Sequence, residues 1–162
     1  MKHMKLAAAA LALGFTFSVA PARAQSDAAH VLDAVFYGFD EDHDGVITGA
    51  EANRFIDKTF SELDRGKTGK ISPQAWMSFS FGLADVAADQ GRSDAYDRAK
   101  AKIFKRWDRA KSGALTLEDY RAGVLGDARK AVGGATKDAD LRIDLAAFKR
   151  APFVRQLMRA LH

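Results

Sequence analysis

Cysteine is absent from all 162 residues. That excludes disulfides, a thiol nucleophile and lipid attachment through cysteine, so stability must come from a packed core and from whatever the chain binds. Histidine is scarce, at His3, His30, His43 and His162. With no Ser/His/Asp arrangement and no metal-hydrolase spacing, the chain is expected not to be an enzyme. No long hydrophobic run is present either. The longest, residues 6–19, falls short of the roughly 18 to 20 apolar residues that a membrane span needs.

That short run has instead the form of a secretory leader. Lys2 and Lys5 precede it, and Ala22, Arg23 and Ala24 give the small-x-small pattern of a cleavage site, so the sequence predicts a signal peptide over 1–24 with the cut after Ala24. The expected location is the periplasm or the exterior. Residues 25–162 suffice for one domain with a continuous core. Charge is also short of what its total suggests. Without Lys2, Lys5 and Arg23, the 25 basic residues become 22 against 21 acidic ones. Near-neutrality argues against a nucleic-acid partner. The charge is nevertheless divided: residues 25–91 carry 5 basic and 12 acidic side chains, and residues 92–162 carry 17 and 9.

What the acidic half does contain is DEDHDGVITGAE at residues 40–51. Asp40, Asp42 and Asp44 place carboxylates at alternate positions, Gly45 permits a sharp turn, and Thr48 with Glu51 has the spacing of a capping box that starts a helix. Hard divalent cations take six to eight oxygens at about 2.3 to 2.6 Å, which a short curled loop supplies from alternate positions. The bland alternative is a polar Asp-Gly turn before a helix. The stretch resembles the twelve-residue calcium loop of an EF-hand. That resemblance implies one principal Ca2+ site held by Asp40, Asp42 and Asp44, the Val46 carbonyl, Thr48 and a bidentate Glu51, with Ile47 in the apolar eighth position and His43 turned to solvent.

A pair of apolar residues recurs four and one positions before each of three loops: Phe36 and Phe39, Phe60 and Leu63, Phe104 and Trp107. Such pairs share one helix face. They mark further loops at 64–75 and 108–119, and Ile143 with Phe148 aligns a weaker one at 136–147. The chain thus resembles the EF-hand superfamily, calmodulin-like in having four loops, and its loop spacing is similar to that of small exported bacterial members such as the lanmodulin group. The implied fold is all-α, an EF-hand-like helix-loop-helix bundle with short β-bridges between paired loops. Three loops are degenerate. Gly66 and Ala75 replace ligands in the second; Ala110 and Lys111 weaken the third, which keeps Asp108, Ser112, Thr116 and Asp119; Thr136, Leu141 and Ala147 spoil the fourth, whose Asp138, Asp140 and Asp144 read as a solvated turn.

Helices are expected over 28–39, 49–63, 73–89, 93–107 and 118–132, with a break at Pro152 before a closing apolar stripe from Phe153 to Leu161. The leading functional expectation is a calcium sensor or ion-stabilised adaptor with a protein partner. The alternatives are a constitutive structural or interaction module whose ion only supports folding, and a lanthanide binder, since a trivalent ion suits the same oxygens. Residues 98–111 offer a basic face around Lys100, Lys102, Lys105 and Arg106, for an acidic partner, an anionic membrane surface or plain solvation. Loop starts Asp40 and Asp64 lie 24 residues apart, so one shared helix holds loops one and two about 20 Å apart. This predicts pairing of loop one with four through Ile47 and Ile143, and of loop two with three through Ile71 and Leu115.

Overall fold

The computed structural model describes residues 20–162, with side chains from Ala28 onward. The predicted leader, 1–24, lies outside the fully described residues. The described chain is mostly helical, and its only strands are four very short ones. In order it runs through α1 (Ala20–Phe39), β1 (Val46–Thr48), α2 (Gly49–Leu63), β2 (Lys70–Ile71), α3 (Pro73–Ser78) and α4 (Ala84–Asp89). There follow α5 (Ser93–Trp107), β3 (Leu115–Thr116), α6 (Leu117–Ala131), a 3-10 turn (Asp138–Asp140), β4 (Arg142–Asp144), α7 (Leu145–Arg150) and α8 (Pro152–Ala160). Among the described residues no helix is long and apolar enough to cross a membrane.

Pairing follows the expectation from spacing. β1 runs antiparallel to β4 with Ile47 opposite Ile143, and β2 antiparallel to β3 with Ile71 opposite Leu115. All four side chains are buried. The two ribbons sit at opposite ends of α2 and of α6, because each of these 15-residue helices connects a loop of one ribbon to a loop of the other.

Helix starts are written in local chemistry. Thr48 and Thr116 each accept the backbone N–H of the residue three ahead, and Glu51 and Asp119 return the bond. Two reciprocal capping boxes therefore open α2 and α6. Ser72 caps α3 with Pro73 at its first position, and Asp144 caps α7. No side-chain cap bond opens α5, whose first residue is Ser93.

The expected helix over 73–89 is two helices. Phe79 is extended (φ −73°, ψ 125°), and Gly82 adopts φ +76°, which a right-handed helix does not accommodate. A buried ammonium holds the break: Lys100 Nζ donates to the carbonyls of Met77 at 2.6 Å and Phe79 at 2.5 Å and lies 5.6 Å from the Tyr96 ring centre. A cation at a helix C-terminus satisfies carbonyls that no longer have amide partners. Burial lowers the Lys100 pKa, offset in part by the Asp97 charge. Lys100 is 2% exposed, so it does not belong to the surface basic face that the sequence suggested.

Apolar side chains from every helix meet in one core. Trp76 and Trp107 stand edge to face with ring centres 5.4 Å apart, Trp107 meets Phe153 at 5.8 Å, and Phe36 meets Phe148 at the same distance. The closing helix α8 thus belongs to the core through Phe153, Val154 and Leu157. Gly123 of α6 is flat against the Trp107 indole, where an added Cβ would lie 2.4 Å from ring atoms.

That contact predicts opposite outcomes for two glycines of one helix. Alanine outranks glycine in a helix interior by about 1 kcal/mol, so Gly126→Ala, whose added Cβ comes no nearer than 3.8 Å to the Arg129 side chain, should stabilise by about 0.5 to 1 kcal/mol. Gly123→Ala should instead destabilise by about 1 to 3 kcal/mol, because overpacking against a buried indole outweighs the propensity gain. Urea denaturation followed by tryptophan fluorescence checks both signs.

Candidate metal centre

Three of the four loops share one backbone course. Position four has positive φ at His43 (59°), Lys67 (51°) and Lys111 (53°), and position six at Gly45 (85°), Gly69 (76°) and Gly113 (79°). Each entering helix closes in the same way, since Asp40, Asp64 and Asp108 donate their N–H to the carbonyls of Phe36, Phe60 and Phe104 at 2.9 to 3.0 Å. Each of these aspartates then turns its carboxylate inward to accept two loop amides. Asp40 takes Asp44 N at 3.2 Å and Gly45 N at 3.0 Å, Asp64 takes Thr68 N at 2.9 Å and Gly69 N at 2.6 Å, and Asp108 takes Ser112 N at 2.9 Å and Gly113 N at 2.8 Å.

The loops diverge in what fills their centre. In the second, Thr68 Oγ1 lies 2.9 Å from Asp64 Oδ1 and 3.1 Å from the Lys70 carbonyl. In the third, Ser112 Oγ lies 3.3 Å from Asp108 Oδ1 and 2.8 Å from the Ala114 carbonyl. A hydroxyl thus links positions one, five and seven, the oxygens that a cation would otherwise gather. Burial raises the pKa of Asp64 and Asp108, but hydrogen bonds, chiefly from the Thr68 and Ser112 backbone amides, outweigh it and hold both below the usual carboxylate range. In the fourth loop two of the three acids are engaged elsewhere. Asp138 pairs with Arg129, and Asp144 accepts Ala147 N at 2.7 Å.

Only loop one gathers carboxylates. Oxygens of Asp40, Asp42 and Asp44 all lie within 4.8 Å of one another. Two oxygens bound to one ion at 2.4 Å can be no more than about 4.8 Å apart, so the spacing suits an ion with bonds of about 2.3 to 2.6 Å. Asp40 is wholly buried and Glu51 is 2% exposed. Glu51 reaches across the loop: Oε1 accepts Glu41 N at 2.9 Å, and Oε2 accepts Thr48 N at 2.8 Å and Thr48 Oγ1 at 2.7 Å. Burial raises its pKa, and the hydrogen bonds from Thr48 and the Glu41 and Asp42 amides overcome that and hold it low. Among the described residues Asp40, Asp42, Asp44 and Glu51 form no ion pair, whereas neighbouring Glu41 pairs with Arg54 at 2.8 Å. Asp42 and Asp44 are exposed beside the buried Asp40; converging carboxylates without a cationic side chain repel, and a bound cation would relieve this.

The structure therefore brings Asp40, Asp42 and Asp44 together, while Glu51 stands outside that cluster with its oxygens held by the Glu41 amide and by Thr48. The Val46 carbonyl and Thr48 lie on β1, and Thr48 is engaged with Glu51. Sequence inspection missed the support behind the loop. Gly49 N donates to the Leu141 carbonyl at 3.0 Å, and a Cβ at Gly49 would stand 1.8 Å from the Asp138 carbonyl oxygen. The only signal for this is a glycine where a helix former would serve better. Comparison with protein-family models, with curated proteins and with solved structures finds no match.

The depressed carboxyls of Asp64 and Asp108 predict acid sensitivity. A folded-state pKa below the unfolded value contributes stability at pH above the unfolded pKa of about 4, and that stability is lost as pH falls through the folded value. The urea midpoint of the metal-free protein should fall on acidification below about pH 4, and Asp64→Asn should make that fall shallower. An unchanged acid profile in the variant would contradict the assigned role of Asp64.

Proposed function

We propose that the chain is a calcium-binding protein of the EF-hand class, exported to the periplasm or the exterior, with one principal site. The single observation that carries this is the convergence of Asp40, Asp42 and Asp44 within 4.8 Å, with no cationic side chain to neutralise them. Those three, with Glu51, the Val46 carbonyl and Thr48, would hold the ion, which supplies positive charge and no reaction chemistry. The degenerate loops support a stoichiometry of one, since their centres are closed by Thr68 and Ser112 hydroxyls or, in the fourth, Asp138 and Asp144 are engaged with Arg129 and a helix start.

The ion would act as a sensor signal or as the brace of an adaptor that meets a protein partner. Loop one is tied to loop four by the β1–β4 ribbon, and loop four leads directly into α7 and α8. Closing Glu51 onto an ion would release Glu41 N and Thr48 N from their present acceptor, a local change that the ribbon can carry onward. A trivalent lanthanide suits the same oxygens, so its binding in vitro would not by itself distinguish the physiological ion.

Isothermal titration of chelator-stripped protein with calcium should give a stoichiometry near one. Glu51→Gln should weaken binding by about tenfold or more, while Asp138→Asn should leave it nearly unchanged. Two or more sites of comparable strength would overturn the assignment of the other loops. An apolar-surface dye added during the titration separates the roles: rising fluorescence marks a sensor, and an unchanged signal with a raised urea midpoint marks a structural ion.

A further inference from the structure

The basic half of the chain concentrates its charge in one place. Between α5 and α8 runs a groove of about 690 Å³. Arg92, just before α5, and Arg98, Lys102 and Arg106 of α5 line one side, and Arg155 and Arg159 of α8 the other, with no carboxylate among the lining residues. Asp94 and Asp97, also on α5, lie outside it. Two of the cations are tied to the walls. Arg92 Nε donates to the Ala160 carbonyl at 3.3 Å, and Arg106 donates to Asp127 and to Gln156, both at 2.6 Å. Gln156 is itself anchored to the Ala99 carbonyl at 3.0 Å. The other four, Arg98, Lys102, Arg155 and Arg159, are exposed and form no ion pair among the described residues. Arg106 is already neutralised by Asp127; the other five like charges facing one trough repel one another, which a bound anion would relieve.

The form of the groove selects among anions. Arg92 to Arg106 spans about 21 Å along α5, so the charges are strung out in two rows rather than gathered on one phosphate-sized point. Five of the six are arginines, whose planar forks match carboxylates in two-point contact. The floor between the rows is small and apolar, formed by Ala95, Ala99, Pro152 and Ala160, which suits side chains of modest size rather than a bare polyphosphate. Insertion into a membrane would call for large exposed apolar groups beside the cations. The one large hydrophobic that the described residues expose is Tyr37, on α1 and outside the groove.

We propose that the α5–α8 groove binds an acidic polypeptide segment in which carboxylates alternate with small apolar side chains. About six to eight extended residues, at 3.3 Å each, would fill its length. Arg106 and Arg92 are held in place as fixed donors, and the four unpaired cations close over the segment from both rims. The groove shares no residue with the carboxylate cluster of loop one, so this site stands whether or not loop one takes calcium.

The test is fluorescence anisotropy of the full chain, in chelator, with a labelled peptide of alternating glutamate and alanine about eight residues long. Binding should weaken as salt rises, since exposed charges are screened at physiological ionic strength. Combining Arg98→Ala, Lys102→Ala, Arg155→Ala and Arg159→Ala should reduce affinity by about tenfold or more. A control that removes equal charge elsewhere, Lys58→Ala, Arg65→Ala, Arg109→Ala and Lys137→Ala, should stay within about threefold of the parent. If the quadruple groove variant fails to fold, Arg98→Gln with Arg155→Gln gives the same comparison in a milder form. Equal losses in groove and control variants would overturn the proposal, as would no binding, or a preference for inorganic tripolyphosphate or for vesicles of phosphatidylglycerol over the peptide.

Discussion

An aspartate that accepts the amide hydrogens of the residues four and five ahead of it is the interaction on which the rest of this structure depends. Asp40, Asp64 and Asp108 each make it, and each thereby turns the chain from the end of one helix into a short strand. The strands must then find partners. Because α2 and α6 each connect two loops along a rigid rod about 20 Å long, loop one cannot reach loop two, nor loop three loop four, which leaves the pairing of one with four and two with three. Four two- and three-residue strands thus set the arrangement of eight helices.

The same interaction explains how a loop keeps its form after losing its ligands. Backbone amides gathered by a carboxylate hold the positive φ at positions four and six in all three loops, although only the first carries acids at its centre. In the other two a threonine or serine hydroxyl takes the middle. Such a loop has its centre filled by its own side chain and presents its apolar eighth residue, Ile71 or Leu115, to the core. Retaining the first aspartate while losing the rest is therefore a stable condition for a loop, and it supports the proposal that only residues 40–51 bind calcium.

Much of this was legible in the chain. The recurring apolar pairs, the Thr48 and Glu51 capping box and the loop spacing located α2, α5, α6 and the register of both ribbons, because these features are local or follow from the length of a helix. What escaped was non-local. The break after Ser78 depends on Lys100, which reaches back more than twenty residues to take the Met77 and Phe79 carbonyls; nothing near Ser78 announces a buried ammonium. Gly49 looks like an indifferent helix start until the Asp138 carbonyl is found against it. The basic face was visible as composition but misdrawn, since Lys100 turned inward and the arginines of α8, some fifty residues further on, supplied the second wall.

These non-local contacts also decide how the proposed ion site would be coupled to the rest of the molecule. Loop one is held from behind by loop four through the β1–β4 ribbon and through Gly49, whose amide binds Leu141 and whose missing side chain admits Asp138. Loop four is in turn held by Arg129 of α6 through Asp138, and its exit is α7, capped by Asp144. A change at Glu51 therefore meets a braced wall rather than a free loop. The brace has a soft point, however, because the Arg129 and Asp138 side chains are 29% and 46% exposed, and exposed ion pairs contribute little, about 0 to 1 kcal/mol. The ribbon, with Ile47 and Ile143 buried at its centre, is the stiffer connection. Any displacement that an ion produced at loop one would pass through that pair into loop four and α7, and the second ribbon is joined to these two loops along both α2 and α6.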